Sequence, residues 1–184
     1  MNLQLLQFST ESMYCVYIIK DYLPSDEMLK LNDLIRELTE EDSMNRKTNV
    51  KANMTSYDAL QDSSKCGFFF QKVAHSIDTI IKLRGTHSSD FFNYNFVDSW
   101  GMRHKPGDYT IQHSHLPFLW SGAYYSYVPK PEPFIKFVEF DTEVKLETNM
   151  LILFPSLVLH KVSENKSNED RISMAFNISM EKQV

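Results

Sequence analysis

Residues 170–179 read DRISMAFNIS, Asp170 to Ser179, and they alternate strictly in character. Side chains on a strand point to opposite faces in turn, so Ile172, Met174, Phe176 and Ile178 share one face and Arg171, Ser173, Ala175 and Asn177 the other. One face is apolar and the other is small or polar. If the apolar face packs on helices, Arg171 and Ser173 point into the interior of a barrel, where an unpaired guanidinium is costly. The guanidinium fork then calls for a carboxylate, to which the Ser173 hydroxyl donates a further hydrogen bond. The plainer reading is a salt bridge at the strand entrance, to Glu164 or Asp170.

Working back from this strand, period-two patterning extends from about Phe91 to the end of the chain, in short runs separated by turn residues. The runs predict strands over Asn95–Arg103, Tyr109–His115, Ser121–Val128, Phe134–Phe140, Glu143–Glu147, Leu151–Phe154, His160–Glu164 and Arg171–Ser179. The first half differs. A strand is expected at Met13–Ile19, then a helix that starts after Pro24 and carries Met28, Leu31, Leu34, Ile35 and Leu38 at helical spacing. Phe69, Val73, Ile77, Ile80 and Ile81 mark a second amphipathic helix. The polar stretch Glu40–Asn53 reads as a loop, or as a lid over a site. The expected fold class is mainly β with N-terminal helices (α+β), a sandwich or barrel with helical support.

A length of 184 residues suits a single domain over 1–184, with 1–90 supplying strand and helical support and 91–180 the β core. The apolar fraction of 42% is ample for a core, and a net charge of −5 disfavours nucleic acid as the main partner. Cys15 and Cys66 form no C-x-x-C pair, so neither a disulfide scaffold nor a thiolate zinc site is suggested, and a reducing cytoplasm fits. The start of the chain lacks the basic region and cleavage site of a signal peptide and the long apolar run of a membrane span.

The histidines suggest where chemistry resides. His113 and His115, in QHSHLP, lie two apart on an expected strand and project together, with Ser114 pointing away. His160 is the remaining histidine downstream, and three facial ligands that leave open positions are what a catalytic metal needs. Taken alone an H-x-H pair is more often two ordinary hydrogen-bonded strand residues.

The order Gly107…His113-Ser114-His115…Ser121-Gly122-Ala123-Tyr124-Tyr125…Phe154-Pro155…His160…Arg171-Ile172-Ser173…Asn177 resembles the iron(II)- and 2-oxoglutarate-dependent oxygenases. It looks most like their small, prolyl-hydroxylase-like members from phages, cyanobacteria and marine bacteria. The resemblance covers about residues 90–180, with a weaker likeness at Asn49–Tyr57. It implies a double-stranded β-helix, or jelly roll, with Fe(II) held by His113, His115 and His160. His115 stands where most members have an acid, so a site of three histidines is expected. Asp108 is a weaker candidate for a rescue carboxylate.

The resemblance further implies Arg171 and Ser173 as the anchor for the distal carboxylate of 2-oxoglutarate. His104 occupies the place of a tyrosine that contacts the same carboxylate. One of Tyr124 and Tyr125 faces the cosubstrate, since they point in opposite directions, and Tyr125 is the expected one. The implied reaction uses O2, releases succinate and CO2, and hydroxylates a small-molecule, amino-acid or peptidyl-proline substrate. The expected setting is the cytoplasm (the host's, if the source is a phage), with the oligomeric state open and a homodimer included. Two alternatives stand beside it. A cupin shares G-x5-H-x-H, but the cupin glutamate is absent between Leu116 and Ser121 and a cupin gives no reason for Arg171 and Ser173. A non-catalytic jelly-roll interaction protein is the other. The aromatic residues Phe118, Trp120, Tyr124, Tyr125 and Tyr127 line a substrate groove on the oxygenase reading, or lie in the core on the plainer one.

Overall fold

A computed structural model describes residues 2–7, 15–41, 48–61, 63–83 and 92–182. Strands β1 (Asn2–Gln7) and β2 (Cys15–Lys20) precede helix α1 (Ser25–Glu41), and two short strands, β3 (Val50–Lys51) and β4 (Asn53–Met54), precede helix α2 (Ser63–Leu83). Eight strands follow: β5 (Phe92–His104), β6 (Tyr109–His113), β7 (Trp120–Tyr127), β8 (Phe134–Phe137), β9 (Thr142–Lys145), β10 (Met150–Pro155), β11 (His160–Val162) and β12 (Arg171–Lys182).

They form two antiparallel sheets, a larger one in the order β1-β2-β10-β7-β12-β5-β4 and a smaller one in the order β3-β6-β11-β8-β9. The alternating runs imply a sandwich or barrel and the resemblance a jelly roll, and the two sheets form that jelly roll, each burying one face against the other. The outer face of the larger sheet carries the helices. Ile172, Met174, Phe176 and Ile178 of β12 are buried there with Leu31 and Ile35 of α1 and Phe69, Val73 and Ile77 of α2. The opposite face closes on the smaller sheet through Val16, Ile18, Ile152 and Phe154 against Ile135, Phe137 and Val162. Removing this much apolar surface from water, at roughly 25 cal/mol per Å², makes the stripe on β12 bind the helices and leaves its polar stripe facing inward.

All eight strands expected beyond Phe91 are present, with shifted ends. The run from Phe134 ends as a strand at Phe137; Val138–Phe140 is a 3-10 turn that closes on Asp141 at a positive φ of 46°. Strand β6 stops at His113, so His115 lies just past it. The stretch read as a loop from Glu40 to Asn53 differs more: α1 runs on to Glu41, and Val50–Lys51 and Asn53 belong to β3 and β4, which pair with Tyr109–Thr110 and with Met102–Arg103. Such two-residue strands are too short to show any period, which is why they could not be read. Residues 42–47, the middle of the stretch considered as a lid, lie outside the described residues, as do Met13 and Tyr14 of the first expected strand.

Candidate active site

Ladder registers bring the singled-out residues together in pairs. His160 of β11 lies directly across from His113 of β6, so both rings stand on one face with centroids 4.4 Å apart. His115 is fastened by its own backbone, whose N–H donates to the Ser156 carbonyl at 2.7 Å in the loop between β10 and β11. That loop also leads to His160, so one connection sets both histidines. The ligand-capable atoms of His113, His115 and His160 all lie within 4.8 Å of one another.

The tautomers follow from the hydrogen bonds. Nδ1 of His113 donates to the Ile111 carbonyl at 2.8 Å, and Nδ1 of His160 to the Val158 carbonyl at 3.1 Å, because a carbonyl can only accept. For His115 the partner is Oδ1 of Asn177, at 2.8 Å. The Asn177 amide is oriented by Asp98, whose carboxylate accepts from Nδ2 at 3.1 Å, and Oδ1 also accepts from the Ser121 hydroxyl at 2.8 Å. All three rings thus carry their proton on Nδ1 and keep the Nε2 lone pair available. Burial holds each below the usual imidazole range: His113 is lowered, His115 goes to about 4, and His160 falls well below 6.5. Three neutral, oriented imidazoles fit a transition metal such as iron, and the outer hydrogen bonds are those that fix ligand orientation.

A second pair comes from β12 and β5, where Arg171 lies across from His104. Ser173 lies across from Tyr125 of β7. All four line one inner cavity together with His113, His115 and His160. Arg171 is 1% exposed, yet its Nε and Nη1 have no hydrogen-bond partner among the described residues. The salt bridges considered for it are not formed: Asp170 pairs with Arg103 at 2.5 Å, and no ion pair joins Arg171 to Glu164 among the described residues. Burial lowers its pKa to about 10, offset in part by Tyr125 and Asp108, so it stays protonated at neutral pH. His104, with Nε2 3.1 Å from the Thr110 hydroxyl, is held well below 6.5 by burial first and by Arg171 second, and its Nδ1 is unpartnered.

The two tyrosines separate as alternation requires. Tyr125 faces the inner cavity, where burial raises its pKa to about 12; Tyr124 packs on the helical side against Phe69 and donates its hydroxyl to Asn149 at 2.8 Å. Of the other aromatic residues weighed for a groove, Trp120 and Tyr127 pack on the helix side, and Phe118 lines an outer cavity. Asp108 lies in the turn after Gly107, accepting the Lys105 N–H at 2.8 Å, and is not in the histidine cluster. Among the lining residues that went unread from the sequence are Asp98, Trp100 and Thr110. Parity was the available signal, for Asp98, Trp100 and Met102 share the alternation of His104 on β5.

A family model described as "Putative 2OG-Fe(II) oxygenase" matches residues 138–177, which span β9 to β12 and include His160, Arg171 and Ser173. No curated protein sequence matches the chain. Among solved structures it is similar to a viral collagen prolyl hydroxylase from Paramecium bursaria Chlorella virus-1, solved with 2-oxoglutarate (TM-score 0.60, 17% identity, 92% of this chain and 96% of that one). A Pseudomonas putida prolyl-4-hydroxylase matches at TM-score 0.64 and 14% identity over 91% of this chain and 93% of that one. The epimerase SnoN, solved with Fe3+, alpha ketoglutarate and nogalamycin RO, matches at TM-score 0.68 and 13% identity over 89% and 78%. The chain is thus similar to the 2OG-Fe(II) oxygenases in the segment that carries His160, Arg171 and Ser173, and shares its jelly-roll fold with solved 2-oxoglutarate-dependent enzymes.

Proposed function

We propose that the protein is an Fe(II)- and 2-oxoglutarate-dependent oxygenase that hydroxylates a small molecule, an amino acid or a peptidyl proline, with His113, His115 and His160 holding the metal. The carrying observation is a buried Arg171 with two unpartnered N–H groups in the cavity that the three histidines line. An uncompensated buried guanidinium is expensive, and an anionic ligand removes that cost. Arg171 would receive the distal carboxylate of 2-oxoglutarate as a bidentate partner, with Ser173, His104 and Tyr125 around it.

When bound, the iron supplies the oxidising chemistry with O2, and 2-oxoglutarate supplies the electrons as it is converted to succinate and CO2. The chain's own contribution is orientation and exclusion. Carbonyls of Ile111 and Val158 and the Asn177 amide hold the imidazoles, while Ala123, Ile135, Phe154 and Val162 keep the inner cavity apolar around its charged end. The inner space is about 40 Å³. A ligand set without a carboxylate leaves the metal more cationic, which favours dianionic 2-oxoglutarate and weakens retention of the bare ion. A reducing cytoplasm is the setting proposed for it; Cys15 and Cys66 are both buried, and no described helix is long and apolar enough to cross a membrane.

The test is an anaerobic titration of 2-oxoglutarate into Fe(II)-loaded protein. A visible charge-transfer band from the chelated keto acid is expected. Metal binding without the band would favour a cupin-like site, and absence of both would favour a jelly roll without chemistry.

A further inference from the structure

Beside the inner cavity lies an outer one of about 260 Å³, and the two share Val50, Trp100, His113 and His115 as a common wall. Their charges are opposite. The inner cavity ends at Arg171, whereas among the described residues of the outer one the only acidic side chain is Asp98, and there is no Lys or Arg. Asp98 is partly buried and gives one hydrogen bond's worth of acceptance to Asn177, at Oδ2, which leaves most of the carboxylate's acceptor capacity for a ligand. Aromatic rings line the same cavity: Tyr57 and Trp100 meet edge to face at 5.0 Å, and Phe118 adds a third. The Trp100 indole N–H is buried and has no partner. A carboxylate beside aromatic rings is the surrounding that holds an organic cation, and an unpaired indole donor nearby suits a carbonyl or carboxylate on the same molecule.

Resting on the oxygenase reading, we propose that the outer cavity is the substrate site and that it takes a small molecule or side chain bearing a protonated amine, with Asp98 as its counter-ion and Trp100 and Tyr57 as its aromatic walls. The volume admits a group of amino-acid size. The opposed charges then sort the two ligands: the dicarboxylate goes to Arg171 and the ammonium compound to Asp98, with the histidine cluster between. A peptidyl proline, which has no charge on its nitrogen, is disfavoured against an amine.

The chain has two tryptophans, so two indole N–H signals in a 1H–15N spectrum report the outcome. Trp100 is in the cavity wall, and Trp120, packed against Tyr17 on the helix side, is the internal reference. Matched probes are titrated into protein carrying Zn(II) and 2-oxoglutarate, and into the metal-free protein. The pairs are prolinamide with N-acetylprolinamide, N-acetyl-lysine amide with N-acetylnorleucine amide, and butylamine with 1-butanol. The expected result is that at least one amine moves the Trp100 signal with an affinity about tenfold or more above its neutral partner. Asp98→Asn should abolish this preference, Asp98→Glu should retain part of it, and Arg171→Ala should leave it intact. Equal affinity within each pair, no response of Trp100 to any amine, or a preference that survives Asp98→Asn would overturn the proposal. Failure of the oxygenase reading is seen separately, as a missing charge-transfer band in the Fe(II) protein.

Discussion

Arg171 has no ion-pair partner among the described residues in a site that holds it 1% exposed, so its two roles, in stability and in binding, oppose each other. Arg171→Ala should weaken 2-oxoglutarate binding roughly 10- to 100-fold, the value of a charge-assisted hydrogen bond pair, with iron affinity little changed. Calorimetric titration checks both, and unchanged cosubstrate affinity would remove the anchor role. Arg171→Met tests the cost of burial: an apolar replacement for an uncompensated charge should raise the thermal midpoint, by on the order of 1 kcal/mol or more in stability. A lowered midpoint would mean that Tyr125 and Asp108 already compensate the charge. His160→Ala should abolish stoichiometric iron binding while the far-ultraviolet circular dichroism stays unchanged; retained iron would exclude His160 from the ligand set. These residues were legible in the sequence because each carries its chemistry in its type. Asp98 and Trp100 were not, since an acid and an aromatic on a strand have many ordinary fates.

Strands β7 and β12 decide how the two faces of the larger sheet divide. Gly122 lies across from Phe176 in the ladder, and a Cβ at Gly122 would come within 2.2 Å of the Phe176 ring. That ring cannot retreat, being enclosed by Phe69 at 5.7 Å, Phe96 at 5.8 Å and Phe70 at 6.3 Å. Gly122→Ala should therefore destabilise by about 1–3 kcal/mol through overpacking, measured as a lower urea midpoint with the slope unchanged. A neutral result would show that α2 yields to the methyl group. Alternation along β12 was plain in the sequence and predicts which face meets the helices. The placement of His115 was less so: the H-x-H pair reads as two residues of one strand, but β6 ends at His113 and a bond from the His115 N–H to Ser156 holds the second ring. No spacing rule anticipates a hydrogen bond to a residue 41 positions away.

For the whole molecule, the histidines make stability depend on pH. His104, His113 and His160 are all lowered by burial and His115 lies near 4 in the folded metal-free protein, whereas the unfolded chain takes up protons near 6.5. The unfolded state binds more protons below 6.5, so stability is full above that pH and is lost as pH falls toward about 4. Each histidine adds at most about 1.4 kcal/mol per pH unit, so the urea midpoint of metal-free protein should be lower at pH 5.5 than at pH 7.5, with a difference in unfolding free energy larger than one group supplies. Equal midpoints would mean that the folded rings protonate normally. The sequence by itself determined the strands from β5 to β12, both helices, the face of β12 that meets them, and the residue types of a metal and carboxylate site. Those are local properties, set by side-chain period and chemistry. Only the tertiary structure decided that His113 meets His160 across a ladder, that Arg171 has no acidic partner among the described residues, and that a second cavity with Asp98 adjoins the first. Each depends on register and on contacts between segments far apart in the chain, which no local pattern encodes.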